Sequence, residues 1–233
     1  MHGMNWADDL TLILHTPGGV TNATETIVEY LRSKFDFIEV IIPTYAMSAG
    51  TMISLASDQI IMGRPSQLGP IDPQMQLGGR LVSARAIVDQ FERAKQDISQ
   101  DSTHAHLWAP ILQSLGPALL QEAQNSLNYS ERMVKKWLEK WMFKDKPNPK
   151  NLAKKAASYF NKGNLHLSHG RRIDRSEARS RNINILDLEE EQPLQEAVLT
   201  AYHLFTIMFE SSPTTKFISS NHGKAWVKNY SNT

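Results

Sequence analysis

The sequence predicts an α/β domain built on a parallel sheet, and three observations carry that prediction. Two apolar segments, "LTLILHT" at 10–16 and "FIEVIIP" at 37–43, are continuous rather than alternating, which is typical of strands buried in a parallel sheet. A third segment, "QIIMG" at 59–63, follows a short helix of small and apolar residues. Strands that alternate with helices in this way form right-handed βαβ units.

The first elements follow from local signals. "PGG" at 17–19 ends the first strand, and a helix capped by Thr21 or Asn22 leads to the second strand, which Pro43 stops. The next helix, "AGTMISLAS", is nearly all apolar and should be buried. A loop rich in proline and glycine, "RPSQLGPIDPQM", follows the third strand.

The rest of the chain is predicted to be mostly helical. Helices are expected at about 83–100, 104–125, 130–142 and 150–161, followed by a short strand or turn, a small helix, a return strand and a last helix through "PLQEAVLTAYHLFTIMFES". We therefore expect three segments: a βαβ core at 1–82, a helical extension at 83–165, and a closing strand, small helix and C-terminal helix at 166–233. Since no strand is predicted before the first one, we expect the chain to begin inside a domain.

The composition is that of a soluble globular protein. The chain has 233 residues, 41% of them hydrophobic, and a net charge of +1. It has no cysteine, which excludes disulfides, thiolate catalysis and cysteine-bound zinc. We find neither a run of apolar residues long enough to span a membrane nor a signal peptide, so we expect a cytoplasmic protein.

Ser48 is the candidate nucleophile. It lies where the second strand gives way to the short apolar helix, and a helix N-terminus favours negative charge. The N–H of Ala49 and an N–H of Gly18 or Gly19 would then form an oxyanion hole, because neighbouring parallel strands end at the same edge of a sheet. On spacing alone, Ser48 could equally be a helix cap and "PGG" a plain turn.

The motifs taken together are more specific. "LILHTPGG", "YAMSAGTMISLASDQIIM" and "SQLGPIDPQ" resemble the Clp-protease/crotonase superfamily, and most closely the serine dehydrogenase proteinase family. The resemblance is dense over 10–76 and thinner up to "SHGRRIDRSEARSRNINILDL". It implies a Clp/crotonase-type spiral of ββα units, with a parallel sheet ringed by helices plus a helical extension. It also implies a peptidase in which Ser48 is the nucleophile and Gly18, Gly19 and Ala49 supply the oxyanion donors.

The resemblance leaves the general base open. In the Clp proteolytic subunit a histidine stands where this chain has Asp72, and an aspartate stands where it has Gly170, next to His169. One substitute is an Asp72–His169 pair built across the site, since histidine is poised near neutral pH. Another is Lys95, which would have to be buried to lose its charge, although its charged neighbours favour a solvated helix face. Asp72 could also simply set a turn before Pro73.

Other features have simpler interpretations. The basic stretch at 132–181 contains Trp137, Trp141 and Phe143, but the spacing of its lysines favours solvated faces of amphipathic helices, so we expect no nucleic-acid partner. The histidines form no zinc signature, and there is no phosphate-binding glycine loop, so we expect no metal or other cofactor. His15 is expected to pack at the end of the first strand.

The sequence therefore predicts a serine endopeptidase that acts on polypeptide substrates and, as the resemblance implies, forms a homo-oligomer. Two alternatives stay open. If the base is missing, the chain would be a catalytically degenerate Clp-fold scaffold or peptide-binding subunit. A crotonase-like acyl-CoA enzyme would use the same fold and oxyanion hole without a serine nucleophile.

Overall fold

The computed structural model describes residues 9–116 and 118–230. The strands are β1 (Leu10–Ile13), β2 (Ile38–Ile42), β3 (Tyr45–Ala46), β4 (Gln59–Met62), β5 (Gln67–Leu68), β6 (Gln74–Leu77), β7 (Arg80–Ser83), β8 (Ile185–Asp187), β9 (Thr214–Ser219) and β10 (Ala225–Asn229). The helices are α1 (Thr21–Arg32), α2 (Ala49–Leu55), α3 (Ala84–Gln100), α4 (Ala105–Leu115), α5 (Leu119–Lys140), α6 (Pro149–Asn161), α7 (Gly163–His166), α8 (Arg175–Arg179) and α9 (Gln192–Ser211). In the part of the chain that the structure describes, no helix is both long and apolar enough to cross a membrane.

The central sheet has four parallel strands in the order β1-β2-β4-β8, which confirms the predicted α/β class. β2 and β4 lie in its middle and pair in register from Glu39 opposite Gln59 to Ile42 opposite Met62. β1 differs from the prediction of a buried strand over 10–16. It has four residues that alternate between half-buried and exposed, because among the described strands it lies at the edge of the sheet.

A second, shorter layer continues from the central sheet. Thr16 bridges Ala46 of β3, β3 pairs with β5 in parallel, and Leu68 of β5 bridges Ile173 in the antiparallel direction. The loops that follow Thr16, Ala46 and Leu68, and the loop that precedes Ile173, therefore emerge at one edge of the fold.

The main hydrophobic core joins all three predicted segments. Trp137 of α5 and Phe160 of α6 share one buried cluster with Ile60 of β4 and with Ile173. Trp137 also stacks on Trp141, with ring centroids 6.4 Å apart. The tryptophans of the basic stretch thus pack in the core, and lysines of the same helix, such as Lys136, lie on its exposed face.

Trp137→Ala is expected to lower the free energy of unfolding by about 3–5 kcal/mol, because it leaves a large cavity in that cluster. The Trp137 side chain is 0% exposed. Chemical denaturation would measure the loss. Arg132→Ala, on the exposed face of the same helix, is the matched control and should change stability by less than about 0.5 kcal/mol. A similar small change for Trp137→Ala would contradict the prediction.

The helical extension is divided differently from the prediction. The predicted helices at 104–125 and 130–142 are wrong: the break falls after Leu115, and α5 continues through 126–129. Gly116 has a φ of 80°, a left-handed conformation that ends α4. The predicted cap of α1 at Thr21 or Asn22 is also wrong, because Val20 is the N-cap and no side chain caps the helix.

Two β-hairpins were missed by the sequence analysis. β6 and β7 pair around Gly78 and Gly79, both at positive φ, between the predicted loop that ends at 75 and the predicted helix that begins at 83. A Gly-Gly pair between two short runs with apolar positions is a hairpin signal, so this element was open to prediction. β9 and β10 form a second hairpin after α9, where the sequence analysis predicted no strand.

Candidate active site

Ser48 lies at a strained turn between β3 and α2. Its φ of 51° and ψ of −111° are rare for a residue with a side chain. Ser48 occupies the N-cap position of α2, but its side chain accepts no capping hydrogen bond. The capping role that the sequence left open is therefore wrong. A serine on a sharp strand-to-helix turn with an uncommitted hydroxyl is the arrangement of a nucleophile elbow.

The "PGG" turn packs directly against Ser48. Gly18 has a φ of 131°, and a methyl group on it would lie 3.1 Å from Ser48 Cβ and 3.6 Å from Ser48 Oγ. Both the backbone conformation and the space therefore require glycine at this position. A methyl group on Gly19 would lie 3.8 Å from Ala49 Cβ. The structure thus brings to Ser48 the three residues that the sequence analysis placed around the nucleophile, Gly18, Gly19 and Ala49.

Two backbone N–H groups at this turn are uncommitted. The Gly18 N–H donates to Thr16 Oγ1 at 3.2 Å, and the Gly50 N–H donates to Met47 O at 2.8 Å. Among the described residues, the N–H groups of Gly19 and Ala49 donate to no acceptor. Ala49 is buried, and a buried backbone N–H without an acceptor among the described residues is unusual, whereas Gly19 is exposed and its N–H is open to solvent or a ligand. Together the two donors form a candidate anion site beside Ser48.

Two threonines that the sequence analysis did not single out hold the turn in place. Thr51 Oγ1 donates to Ala46 O at 2.7 Å and accepts from the Gly69 N–H at 2.9 Å, which ties α2 to β3 and to the loop after β5. Thr16 packs on α2 at Gly50, where a methyl group would lie only 2.5 Å from Thr16 Cγ2. Glycine at position 50 therefore lets the end of β1 approach the start of α2.

Asp72 and His169 form a hydrogen-bonded pair, with Asp72 Oδ1 2.9 Å from His169 Nδ1. The Asp72 side chain is 2% exposed and the His169 side chain 27%. Asp72 Oδ2 accepts hydrogen bonds from Ser83 Oγ at 2.8 Å and from Gln74 Nε2 at 3.2 Å. An ionised carboxylate only accepts, so beside an ionised Asp72 the donor is His169 Nδ1, and whenever the ring is neutral Nε2 carries the free lone pair.

The pair emerges at the same edge of the fold as Ser48. Asp72 follows Leu68 of β5 and His169 precedes Ile173, and Leu68 and Ile173 form an isolated antiparallel bridge. β5 in turn pairs with β3, which leads into Ser48. Gly69 packs on the residue before Ser48, since a methyl group on it would lie 2.5 Å from Met47 Cε. The topology thus brings serine, aspartate and histidine to one edge.

Comparison with known proteins agrees with this geometry. The model of the ClpP-like SDH-type serine proteinase family matches residues 6–111, which contain Ser48, the "PGG" turn and Asp72. The family that the sequence predicts is confirmed for this segment of the chain. His169 lies beyond the matched residues, so the family match does not extend to the histidine of the pair.

Relatives of this chain occur in Methanocaldococcus jannaschii. The uncharacterized protein MJ0137 is 38% identical over 116 residues, which are 50% of this chain and 37% of that protein. The uncharacterized protein MJ1495 is 40% identical over 93 residues, 40% of this chain and 30% of that protein. This chain therefore spans about a third of the length of these curated relatives. No solved structure matches it.

The other predicted site residues lie in different surroundings. Lys95 is exposed on α3, so it lacks the burial that a lysine base requires, and no described contact links it to Ser48. His15 packs between Tyr45 and Tyr202, with ring centroids 4.0 and 5.0 Å away, as expected for a packing residue. Within the described residues, no hydrogen bond joins the Ser48 hydroxyl to His169.

A second polar network, which the sequence analysis missed, lies in the chain just before His169. His166 is 3% exposed, with Nε2 2.9 Å from Tyr159 O and Nδ1 3.1 Å from Arg171 Nη1. Arg171 forms a two-pronged ion pair with Glu177, which also accepts from the Tyr159 hydroxyl. Because arginine only donates, His166 accepts at Nδ1 and is neutral in this arrangement.

Because of this network, the free energy of unfolding is expected to decrease as the pH is lowered. Burial lowers the pKa of His166 below 6.5, with the Arg171 charge acting in the same direction and hydrogen bonding to Tyr159 O and the charges of Glu177 and Asp72 opposing it. The unfolded chain then binds more protons than the folded one, so this stabilisation is present above pH 6.5 and is lost as pH falls through the folded pKa.

Urea unfolding from about pH 8 to about pH 5 would measure this loss. His166→Gln keeps an amide donor for Tyr159 O but cannot titrate, so it should flatten the profile. His222→Gln, on the exposed turn of the β9–β10 hairpin, is the matched control and should leave it unchanged. A profile that is equally steep in His166→Gln would show that another group titrates.

Proposed function

We propose that this chain is a serine peptidase that hydrolyses polypeptides through an acyl-enzyme on Ser48. One observation carries the proposal. A strained serine with an uncommitted hydroxyl lies beside two uncommitted N–H groups, those of Gly19 and Ala49. Strained backbone is retained where surrounding contacts enforce it, and it is concentrated at functional sites.

The residues have the following roles in this proposal. Ser48 Oγ attacks the peptide carbonyl carbon, its proton passes to the base, and the Gly19 and Ala49 N–H groups donate to the oxyanion. Gly18, which the sequence analysis expected as a further donor, has no such role in this proposal because its N–H is bonded to Thr16. Having no side chain, it provides the room for the approach of the substrate. Collapse of the intermediate breaks the C–N bond, and the base returns the proton to the leaving amine. A water molecule then attacks the ester carbonyl while the base takes its proton. The C–O bond to Ser48 breaks, the acid product leaves, and the base returns the proton to Ser48 Oγ.

His169 is the proposed base and Asp72 its orienting partner. Asp72 accepts from Nδ1, so Nε2 is the atom that would take the Ser48 proton. Catalytic hydrogen bonds are often long in an empty site and tighten only when substrate binds, so the missing Ser48–His169 bond is compatible with this role.

The fold and assembly implied by the family resemblance belong to the same proposal. The segments β2–β3 and β4–β5 each contribute one strand to the central sheet and one to the short layer, which supports a spiral of ββα units. Homo-oligomerisation and the three-part division of the chain at residues 82 and 165 remain parts of this proposal.

A catalytically degenerate peptide-binding scaffold is the second candidate. The specific observation in its favour is that no described side chain accepts the proton of the Ser48 hydroxyl. No observation favours a crotonase-like acyl-CoA reaction, which would have no need of a strained serine.

Labelling with a fluorophosphonate, followed by peptide mapping, tests the proposal. We expect one modification, at Ser48, because the reagent reports an activated serine and not an ordinary hydroxyl. A chain that is folded by circular dichroism and is not labelled would favour the scaffold. Modification spread over several serines would also contradict the proposal, since it would indicate unselective chemistry.

A further inference from the structure

We infer that Ser83 and Gln74, at the base of the β6–β7 hairpin, are positioning residues that fix the Asp72 carboxylate and, through it, the tautomer of His169. The inference rests on the role proposed above for His169. Gln74 is the last residue of the "SQLGPIDPQ" motif, but the sequence analysis assigned a role to neither Gln74 nor Ser83. Both hydrogen bonds reach the same oxygen, Asp72 Oδ2.

The hairpin places the two donors together. Gln74 and Ser83 are register partners where β6 and β7 pair, at the end opposite the Gly78-Gly79 turn. The Ala84 N–H donates to Pro73 O at 2.9 Å, which holds the end of the hairpin next to Asp72. The β6–β7 hairpin, which follows Asp72 directly in the chain, therefore holds the Asp72 carboxylate.

Ser83 serves two partners with one hydroxyl. Its Oγ accepts the Arg85 N–H at 3.1 Å as the N-cap of α3, so its single proton is available for Asp72 Oδ2 at 2.8 Å. A hydroxyl has one donor and two acceptor positions, so these two bonds are compatible. The start of α3 and the orientation of Asp72 are thus fixed by the same atom.

As a consequence, the two oxygens of the Asp72 carboxylate have different hydrogen-bond partners. Oδ2 is committed to Ser83 and Gln74, which turns Oδ1 towards His169 Nδ1. A buried carboxylate needs such partners, because an unpaired acceptor in the interior is costly. Without them the carboxylate can rotate or take up water, and the His169 proton is then shared between Nδ1 and Nε2. Only the ring with a free Nε2 can accept the Ser48 proton.

The experiment compares the double variant Ser83→Ala/Gln74→Met with Ser83→Thr, which keeps the hydroxyl. Asp101→Ala is the control for a lost capping bond, since Asp101 Oδ1 accepts the Thr103 N–H at 2.9 Å near the other end of α3. If Ser83→Ala does not fold, Gln74→Met alone serves, because Gln74 caps no helix. Circular dichroism would establish folding first.

Two readouts are measured on each folded variant. Nitrogen-15 NMR of the imidazoles gives the tautomer of His169, whose signal is assigned by its loss in His169→Gln. The pH profile of fluorophosphonate labelling gives the reactivity of Ser48. We expect the double variant to show mixed tautomers and labelling about 10-fold slower, the lower end of the loss known for the hydrogen-bond partners of metal-binding histidines. Ser83→Thr and Asp101→Ala should match the wild type in both.

The outcomes separate this inference from the proposed function. An unchanged His169 tautomer in the folded double variant would overturn the inference. Mixed tautomers with an unchanged labelling rate of a reactive Ser48 would show that Ser83 and Gln74 position His169 but that His169 is not the base. If wild-type Ser48 is never labelled but the tautomer still changes in the double variant, the proposed peptidase fails while Ser83 and Gln74 still position His169.

Discussion

Ser48→Ala is expected to abolish hydrolysis of a fluorescent polypeptide, with kcat reduced by a factor on the order of a million, because the variant has no atom that can form the acyl-enzyme. The fold should be unaffected, since the Ser48 hydroxyl forms no hydrogen bond with the described residues. Steady-state hydrolysis and urea unfolding of the same preparations would measure both effects.

Two further variants sharpen this result. Ser48→Gly should be as inactive as Ser48→Ala. Its free energy of unfolding should be higher by about 1 kcal/mol or more, because glycine adopts a φ of 51° without strain. Ser54→Ala removes a serine hydroxyl from the same helix, one that donates to Gly50 O at 2.8 Å, and should keep full activity. Hydrolysis that survives in Ser48→Ala would contradict the proposed nucleophile.

The surroundings of Ser48 were predictable because they depend on residues close in sequence. A strand that ends at Pro43, a buried helix that begins at Ala49 and a glycine turn after the first strand are all local patterns. Parallel pairing then brings the ends of neighbouring strands together, so the approach of Gly18 to Ser48 follows from the topology. The strain at Ser48 was not predictable, since it is imposed by the contacts around it.

The base system was harder to predict because its partners are distant in the chain. Asp72 and His169 are 97 residues apart, and no local pattern links them. The resemblance indicated where each would lie but left Lys95 as an alternative. Ser83 and Gln74 were missed for a different reason: the hairpin that carries them was read as a loop and the start of a helix.

The errors in the fold have a common physical origin. The apolar run of β1 predicted a strand buried on both sides. How much of a strand is covered depends on its position in the sheet, and β1 lies at the edge of the described sheet. The helical pattern around residues 104–142 predicted two helices, but a glycine at positive φ decides where they divide. Periodicity reports which residues can be buried, and tertiary contacts select among the arrangements it allows.

Asp72→Asn is expected to reduce kcat about 10,000-fold with little change in KM, because it favours the wrong tautomer of His169. The asparagine side chain has nearly the same shape, but its amide can donate to His169 Nδ1. The histidine would then carry its proton on Nε2 and could not accept one from Ser48. Hydrolysis and fluorophosphonate labelling, measured as functions of pH, would report the loss.

A comparison of three variants distinguishes the His169 base from its alternatives. His169→Gln should be about as inactive as Asp72→Asn, and combining the two should add little, because residues that act as one unit are not additive. Lys95→Met should retain full activity, since Lys95 is exposed on α3. If Lys95→Met were inactive and His169→Gln active, the lysine would be the base, and its α3 segment would have to move to Ser48 when substrate binds. If both variants were active, the proton of Ser48 would leave by a route that includes neither residue, and the Asp72–His169 pair would be a structural contact.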